Sequence, residues 1–520
     1  MTGSGSSRKR SSVDPRTPVL VGVGQFTERI DDPSYRGMSA VELATAAVRA
    51  ALADTGVDTD SVAKAIEVFV GLRQFEICTP FDKPLLGASD NYLRSVAKRV
   101  GADPARAVLE PIGGNGPQKL VTEFAGAIAA GDIEVALVLG SENGSTLRTF
   151  ARRDDKPDHS ETVGGQLEDR GYGFEQYMSE YTATHGLTGA PVQYGLLDNA
   201  RRGRLGLSVA DYRVKMAELF APFSKVAAKN PFSSSPVERS VDELITVTDE
   251  NRMICDPYPR LMVARDQVNQ GAAAVLMSVE AARRLGVPES KWVYLRGHAD
   301  QVEQDLLDRV DVSVSHSARQ SVAEALRVAG IGIDEVSTFD LYSCFPFPVF
   351  TVCDEFGLAP DDPRGLTLTG GLPYFGGPGN SYSLHGIAET VLQMRDNPGT
   401  FGLVGANGGV MSKYSVGVYS TEPAEWVADR SKELQAEIAA LPKIAVTRNA
   451  EGPATIETYS VRYDWPVTTG VIIGRLDADG SRFMALTEDE DLVKLMTEGD
   501  PLGAAISVTS DGKKNTAKPA

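Results

Sequence analysis

The sequence predicts an α/β protein made of two similar strand-and-helix units, with a small antiparallel β-barrel added at the C-terminus. Three observations predict it. First, SARQSVAEALRVAGIGIDEV repeats the pattern of ELATAAVRAALADTGVDTDSV at an offset of 274 residues, so that Val48 matches Val322, Leu52 matches Leu326, Gly56 matches Gly330 and Val62 matches Val336. Second, Gly113-Gly114-Asn115-Gly116, a helical pattern and the strand-like VALVLG (135–140) return at an offset of 263 as Gly376-Gly377-Pro378-Gly379, a helix to about 395 and FGLVG (401–405). Third, beyond 421 the runs TIETYSVRYDW, GVIIGRL, RFMALT and GAAISVT, separated by Gly, Asp and Ser, have the spacing of a small barrel. Alternating strands and helices with a glycine-rich turn at a helix N-terminus in each half describe two packed α/β units.

Taken in order, residues 1–16 are Gly, Ser and charge with nothing to bury, and are expected to be a disordered tail. PVLVGVGQ from Pro18 reads as a buried strand. A helix follows near 39–54, with Ala44, Ala47, Val48, Ala51 and Leu52 on one face, a capping box from Ser39 and Glu42, and Gly56 as its stop. The first unit spans 17–290 and includes an inserted loop domain at about 145–250, rich in charge and helical stretches, which is expected to cover one face of that unit. The second unit spans 291–420. Residues 421–520 hold a charged linker helix and the barrel, and the last ten, DGKKNTAKPA, are expected to be disordered.

Composition narrows the function. The 520 residues carry 70 acidic and 52 basic side chains, a net charge of −18, which repels polyanions and argues against nucleic acid as a partner. No apolar run approaches the roughly 18 residues of a spanning helix, and no apolar stretch follows the basic N-terminal residues as an export signal requires, so a cytoplasmic protein is expected. Four scattered cysteines and five histidines make neither a disulfide framework nor a metal-ligand set. Motifs for nucleotide hydrolysis and dinucleotide redox are absent from the sequence.

EVALVLGSENGS, NPFSSSPVERSVDEL and RMICDPYPRLMVARDQVNQGAAAVLMS, in that order, resemble segments of the thiolase superfamily, and specifically of the sterol-carrier-type relatives called thiolase-like proteins type 1, which carry an extra C-terminal domain. The resemblance covers about 17–420, and the added barrel matches the type 1 group. It implies a duplicated five-layer α-β-α-β-α fold with an inserted loop domain, a pocket for a coenzyme A thioester as ligand, and no further cofactor. It also implies similarity to acetyl-CoA acetyltransferases and a role in lipid or steroid metabolism.

Transferred residue by residue, the resemblance removes the reactive groups. Gly113 stands at the nucleophilic cysteine, Gly377 at the histidine of the Gly-His-Pro turn, and Gly405 or Ala406 at the acid/base cysteine. The fourth block reads Tyr342-Ser343-Cys344-Phe345, which places Tyr342 where an Asn or His would hold the oxyanion water. What remains is backbone N–H at two helix N-termini, an oxyanion or anion cradle. Gly113, Gly114, Asn115, Gly377 and Asn407 would bind the ligand, with Arg260 and Lys229 among the cations (Arg201, Arg202, Arg204 and Lys225 are others) that could meet its phosphates. Tyr342 is the candidate proton donor or acceptor, Tyr258 a second phenol, and Cys344 with His385 a candidate nucleophile pair that is weighed against a buried thiol and a packed histidine.

Three readings follow: an acyl-CoA-binding protein without ordinary thiolysis, an atypical acyl-CoA enzyme (retro-aldol lyase or acyltransferase) using Tyr342, and a scaffold that recruits a protein partner through the barrel. Thiolases generally pair through a first-half edge strand, expected here at 134–141, and both monomer and homodimer stay open.

Overall fold

A computed structural model of the chain describes residues 13–173, 179–463 and 467–520; residues 1–12 of the expected tail lie outside the described residues. Residues 13–16 are not part of a loose tail. They form a turn in which the Thr17 N–H donates to the Asp14 carbonyl at 2.9 Å and the Pro15 carbonyl accepts from the Glu280 N–H at 2.8 Å, and Val13 packs against the core of the first unit.

The first unit contributes β1 (Pro18–Thr27), β2 (Val68–Leu72), β3 (Arg106–Glu110), β4 (Val135–Asn143) and the two-residue β5 (Glu168–Asp169). After the insertion come β6 (Met253–Cys255), β7 (Tyr258–Pro259) and β8 (Asn269–Ser278), and the second unit supplies β9 (Val293–Val302), β10 (Val336–Leu341), β11 (Phe401–Gly408) and β12 (Lys413–Ser420). The large sheet runs β10-β11-β12-β9-β1-β8-β4-β2-β3-β5. Among the described residues its halves meet through two residue pairs, Val19 with Tyr294 and Leu20 with Val293. In both halves two antiparallel pairings lead to one parallel pairing, β1-β8-β4-β2 against β9-β12-β11-β10. β4 is therefore interior, between β8 and β2, and the expectation of an edge strand at 134–141 is corrected: β2 and β3 are added outside it.

Burial explains the layers. The helices Gly116–Ala130 and Tyr382–Asp396 lie between the halves, where Leu120, Phe124 and Ile128 share one apolar cluster with Leu384, Ile387 and Val391. The helix Ala40–Asp54 covers the outer face of the first half and His316–Ala329 that of the second. The Ser39–Glu42 capping box forms as the sequence predicts. Glycine lets each outer helix approach its strand: a Cβ at Gly22 would run into the Ala51 carbonyl and one at Gly297 into the Ala325 carbonyl, two residues that correspond across the repeat.

The insertion is divided between the units: its residues 168–169 pair with β3 of the first, and its two long helices pack against the second. Its helices Ala190–Arg204 and Val209–Ala227 place Tyr194, Leu197, Tyr212 and Phe220 in one cluster with Phe345, Phe347 and Phe350. Among the described residues no helix is long and apolar enough to cross a membrane.

The C-terminal strands β13 (Gly452–Tyr463), β14 (Thr468–Leu476), β15 (Arg482–Thr487), β16 (Ala505–Ser510) and β17 (Asn515–Pro519) close a barrel in the order β14-β15-β17-β16-β13. The pairings are antiparallel apart from one parallel bridge, Leu486 to Thr516. β17 corrects the expectation that the last ten residues are disordered: Ala517 is buried and Asn515 accepts and donates in the barrel wall. The barrel is clamped to the body. The fully buried Arg482 guanidinium grips Glu457 at 2.6 Å and donates to the Leu307 carbonyl at 2.8 Å, and Arg202 on the insertion pairs with Asp500 at 2.7 Å.

Candidate functional site

Four sequence blocks meet at the N-terminus of the helix Gly116–Ala130. The turn before it is tight: Gly113 has φ of 150°, its N–H donates to Asn380 Oδ1 at 2.8 Å, and Ser383 Oγ donates to the Gly114 carbonyl at 2.6 Å. Tyr342 leaves the end of β10 with its N–H on the Gly405 carbonyl at 2.9 Å. Its phenol points at the turn. A Cβ on Gly114 would collide with Tyr342 Oη and lie 2.7 Å from the Asn407 carbonyl, so Tyr342 requires glycine at 114. The Tyr382 ring meets the Tyr342 ring edge-on at 5.3 Å.

Cys344 lies on the same side. Asn407 Nδ2 is 3.9 Å from its Sγ and donates to Tyr194 Oη at 2.6 Å, while Tyr194 donates to the Gly409 carbonyl at 2.9 Å and stacks on Phe345 at 4.6 Å. Burial pushes the Cys344 thiol up to about 12, with Tyr194 contacts pulling the other way, and burial likewise raises both phenols, Tyr342 and Tyr194. All three groups are protonated at neutral pH. Tyr342 and Cys344 offer O–H and S–H donors beside the positive end of a helix, while the Tyr194 hydroxyl proton is held by the Gly409 carbonyl, and neither a thiolate nor a phenolate is present. Asn115 is locked into this wall, with Nδ2 on Ser415 Oγ at 3.2 Å and Oδ1 against Gly408.

The second glycine turn is packed differently. Gly376 has φ of 125°, and a Cβ there would lie 2.5 Å from Gln270 Oε1 and 2.8 Å from Ser234 Oγ. The Gly377 N–H donates to the Arg265 carbonyl at 2.7 Å. Thus the N–H groups of Gly113 and Gly377, expected to face a ligand, both have partners inside the chain. At Gly405 the space of a side chain is taken by Tyr414, whose Oη would be 2.6 Å from a Cβ.

The other predicted residues are dispersed. His385 is fully buried, its Nδ1 2.7 Å from Gln25 Oε1 on β1 and its ring against Phe375, and burial lowers it to about 3. Its partners are not those of Cys344, so the two do not form a pair. Tyr258, expected to face the pocket, shares the buried Asp198 carboxylate with Tyr212. Arg260 is exposed and donates to the Glu250 carbonyl at 3.0 Å, and Lys229 is exposed next to Asn230, which donates to Glu389 at 2.9 Å. Arg201 and Arg204 pair with Asp354, and Arg202 with Asp500, so these three hold the fold together.

Sequence reasoning missed Tyr194 and Asn380. Tyr194 lies in the insertion, which has no counterpart in the repeat to give its position. Asn380 follows the Gly-Gly-Pro-Gly turn directly, and a side-chain amide in that position was a readable signal for a partner to the other turn.

A duplicated α/β body with glycine turns at paired helix N-termini, an insertion and a closed five-stranded barrel defines a thiolase-like protein. The family model for the thiolase-like protein type 1 additional C-terminal domain matches residues 433–513. A crystal structure of a monomeric SCP2-thiolase-like protein type 1 from Mycobacterium smegmatis is 63% identical, with a TM-score of 0.86, covering 98% of this chain and 100% of that one. The chain belongs to the SCP2-thiolase-like proteins of type 1. The Ltp2-ChsH2(DUF35) aldolase is 18% identical with a TM-score of 0.55, covering 78% of this chain and 98% of that one, and shares the fold. No curated protein matches the sequence.

Proposed function

We propose that the chain is an acyl-CoA-binding member of the acyltransferase superfamily that carries out no ordinary thiolysis. One observation carries the reading: the resemblance puts Gly113, Gly377 and Gly405 or Ala406 at the nucleophile, the histidine and the second cysteine, and the Tyr342 phenol and the Tyr414 hydroxyl fill the space beside Gly114 and Gly405. Family membership supports the ligand class. Acetoacetyl-CoA thiolysis by the pure protein is expected to be absent, and turnover abolished by Cys344→Ala would overturn the reading.

A second reading is favoured by the convergence of Tyr342, Tyr194 and Asn407 at one helix N-terminus. A phenol that burial keeps protonated donates a hydrogen bond to a thioester carbonyl and stabilises developing negative charge there, as a retro-aldol or acyl-transfer step requires. In this reading Tyr342→Phe abolishes turnover and leaves acyl-CoA affinity unchanged; full activity in that variant excludes the assignment. The scaffold reading has less support, because Arg482, Arg202 and His185 bind the barrel to its own body. A specific partner captured by the full chain, and lost when exposed barrel residues are changed, would restore it.

A further inference from the structure

We propose that a cavity on the outer face of the first unit is a binding site for the head group of a small primary carboxamide. It lies at the carboxyl ends of β2 and β4, the edge of an α/β sheet where ligands bind. Ser141 and Asn143 continue the face of β4 that carries Leu137 and Leu139 towards the helix Ala40–Asp54, whereas Glu142 faces Gly379. The sheet thus separates the cavity from the glycine turns, and the inference stands apart from what those turns bind. Distant segments close it: Tyr92 Oη lies 2.8 Å from Ser141 Oγ, the His159 N–H donates to the Leu86 carbonyl at 2.6 Å, and the Glu161 N–H to the Ala88 carbonyl at 3.3 Å. Its volume is about 30 Å³, against the roughly 10–15 Å³ that one water needs, so a head group of a few heavy atoms fits.

The polar atoms that line it mark it as a ligand site. Asn143 Oδ1 and Gln74 Nε2 belong to side chains only 1% and 4% exposed, and neither has a hydrogen-bond partner among the described residues. Glu76 Oε2 and His159 Nδ1 are buried and unpartnered in the same way. Leaving such atoms unpaired costs about 1–3 kcal/mol each. Their chemistry selects the ligand. The two oxygens require donors, while Gln74 Nε2 and the first-turn N–H groups of Ala40 and Val41, which precede the helix's own hydrogen bonds, require an acceptor. An ammonium group brings no acceptor and meets the positive end of a helix; a carboxylate brings no donor and meets Glu76. A carboxamide supplies both, its NH2 donating to Glu76 and Asn143 and its oxygen accepting from Gln74 and the helix.

The test is saturation-transfer NMR on the full chain with acetamide, N,N-dimethylacetamide, acetate and methylammonium as probes. Burial pushes the Glu76 carboxyl up to about 7, so the measurement is made at about pH 8, where it is chiefly an acceptor. Acetamide is expected to bind saturably below about 100 mM, the affinity a ligand of its size reaches at modest efficiency. The other three, each lacking a donor or an acceptor, are expected to bind at least about tenfold more weakly. In Glu76→Ala the acetamide affinity is expected to fall at least about tenfold, and in wild type acetamide is expected to slow amide exchange in 74–89. Equal binding of acetate or methylammonium overturns the proposal, as does unchanged affinity in the variant. Absence of saturable acetamide binding assigns the cavity to ordered water and overturns it as well. If the variant does not fold, the wild-type exchange pattern locates the site, and protection outside 74–89 alone overturns the assignment.

Discussion

The two glycine turns, Gly113–Gly116 and Gly376–Gly379, occupy equivalent places in the two halves and are closed by different means. Side chains from three other elements reach the first: Tyr342 and Asn380 from the second unit and, through Asn407, Tyr194 from the insertion. The second is closed from the first unit and the insertion, with Gln270 and Ser234 against Gly376, the Arg265 carbonyl on Gly377 and Glu142 against Gly379. Duplication supplied the same backbone twice; the Tyr342 phenol, the Cys344 thiol and Tyr194 have gathered around one copy, and Gln270, Ser234 and Glu142 around the other. Ligand chemistry is therefore to be sought at the first turn, and the second is a packing joint.

Substitutions at the two turns separate these roles. Gly114→Ala forces a methyl group into Tyr342 Oη and is expected to cost about 3 kcal/mol in denaturant unfolding, the upper range for overpacking. Asn380→Ala leaves the Gly113 N–H and the Arg73 carbonyl without their partner, a loss of about 2 kcal/mol by the same measurement. At the second turn the effect is one of pH. Burial raises the Glu142 carboxyl to about 8, with Glu76 adding to the rise and the Phe75 N–H opposing it. The folded chain keeps this proton over a range where the unfolded chain, titrating near 4.5, has released it. Its contribution is thus intact below about pH 4.5 and lost as the pH rises through about 8. Glu142→Gln is expected to flatten that part of the stability profile, in thermal melts between those limits. The smallest effect belongs to Gly377→Ala, whose Cβ would stand 3.2 Å from its nearest neighbour, the Arg265 carbonyl, and is expected to cost below about 1 kcal/mol. Equal costs at 114 and 377 would erase the distinction between the turns.

Much of the fold was readable because the repeat is written in residues with strong local rules. Gly56 and Gly330 stop helices at matched positions, the Ser39–Glu42 box starts one, and the glycine clusters mark both turns. Elements that depend on distant partners were not readable. β17 is NTAKP, five residues with two buried, and its strand state comes from pairing with β16. β5 is two charged residues fixed by arginines from elsewhere in the chain. The site divides in the same way. Gly113, Gly114, Tyr342, Cys344 and Asn407 came from linear motifs and do meet, whereas His385 and Tyr258 have the right residue type at the wrong address, and Tyr194 arrives by tertiary packing alone.

The central claim, a thioester site without a nucleophile, is tested most directly by native and denaturing mass spectrometry of one sample incubated with coenzyme A, short acyl-CoAs and a bulky steroid-type acyl-CoA. The account predicts a complex in the native spectrum that disappears on denaturation, leaving the unmodified mass of the chain. An acyl adduct that survives denaturation, mapped to any of the four cysteines or to Tyr342, would contradict it.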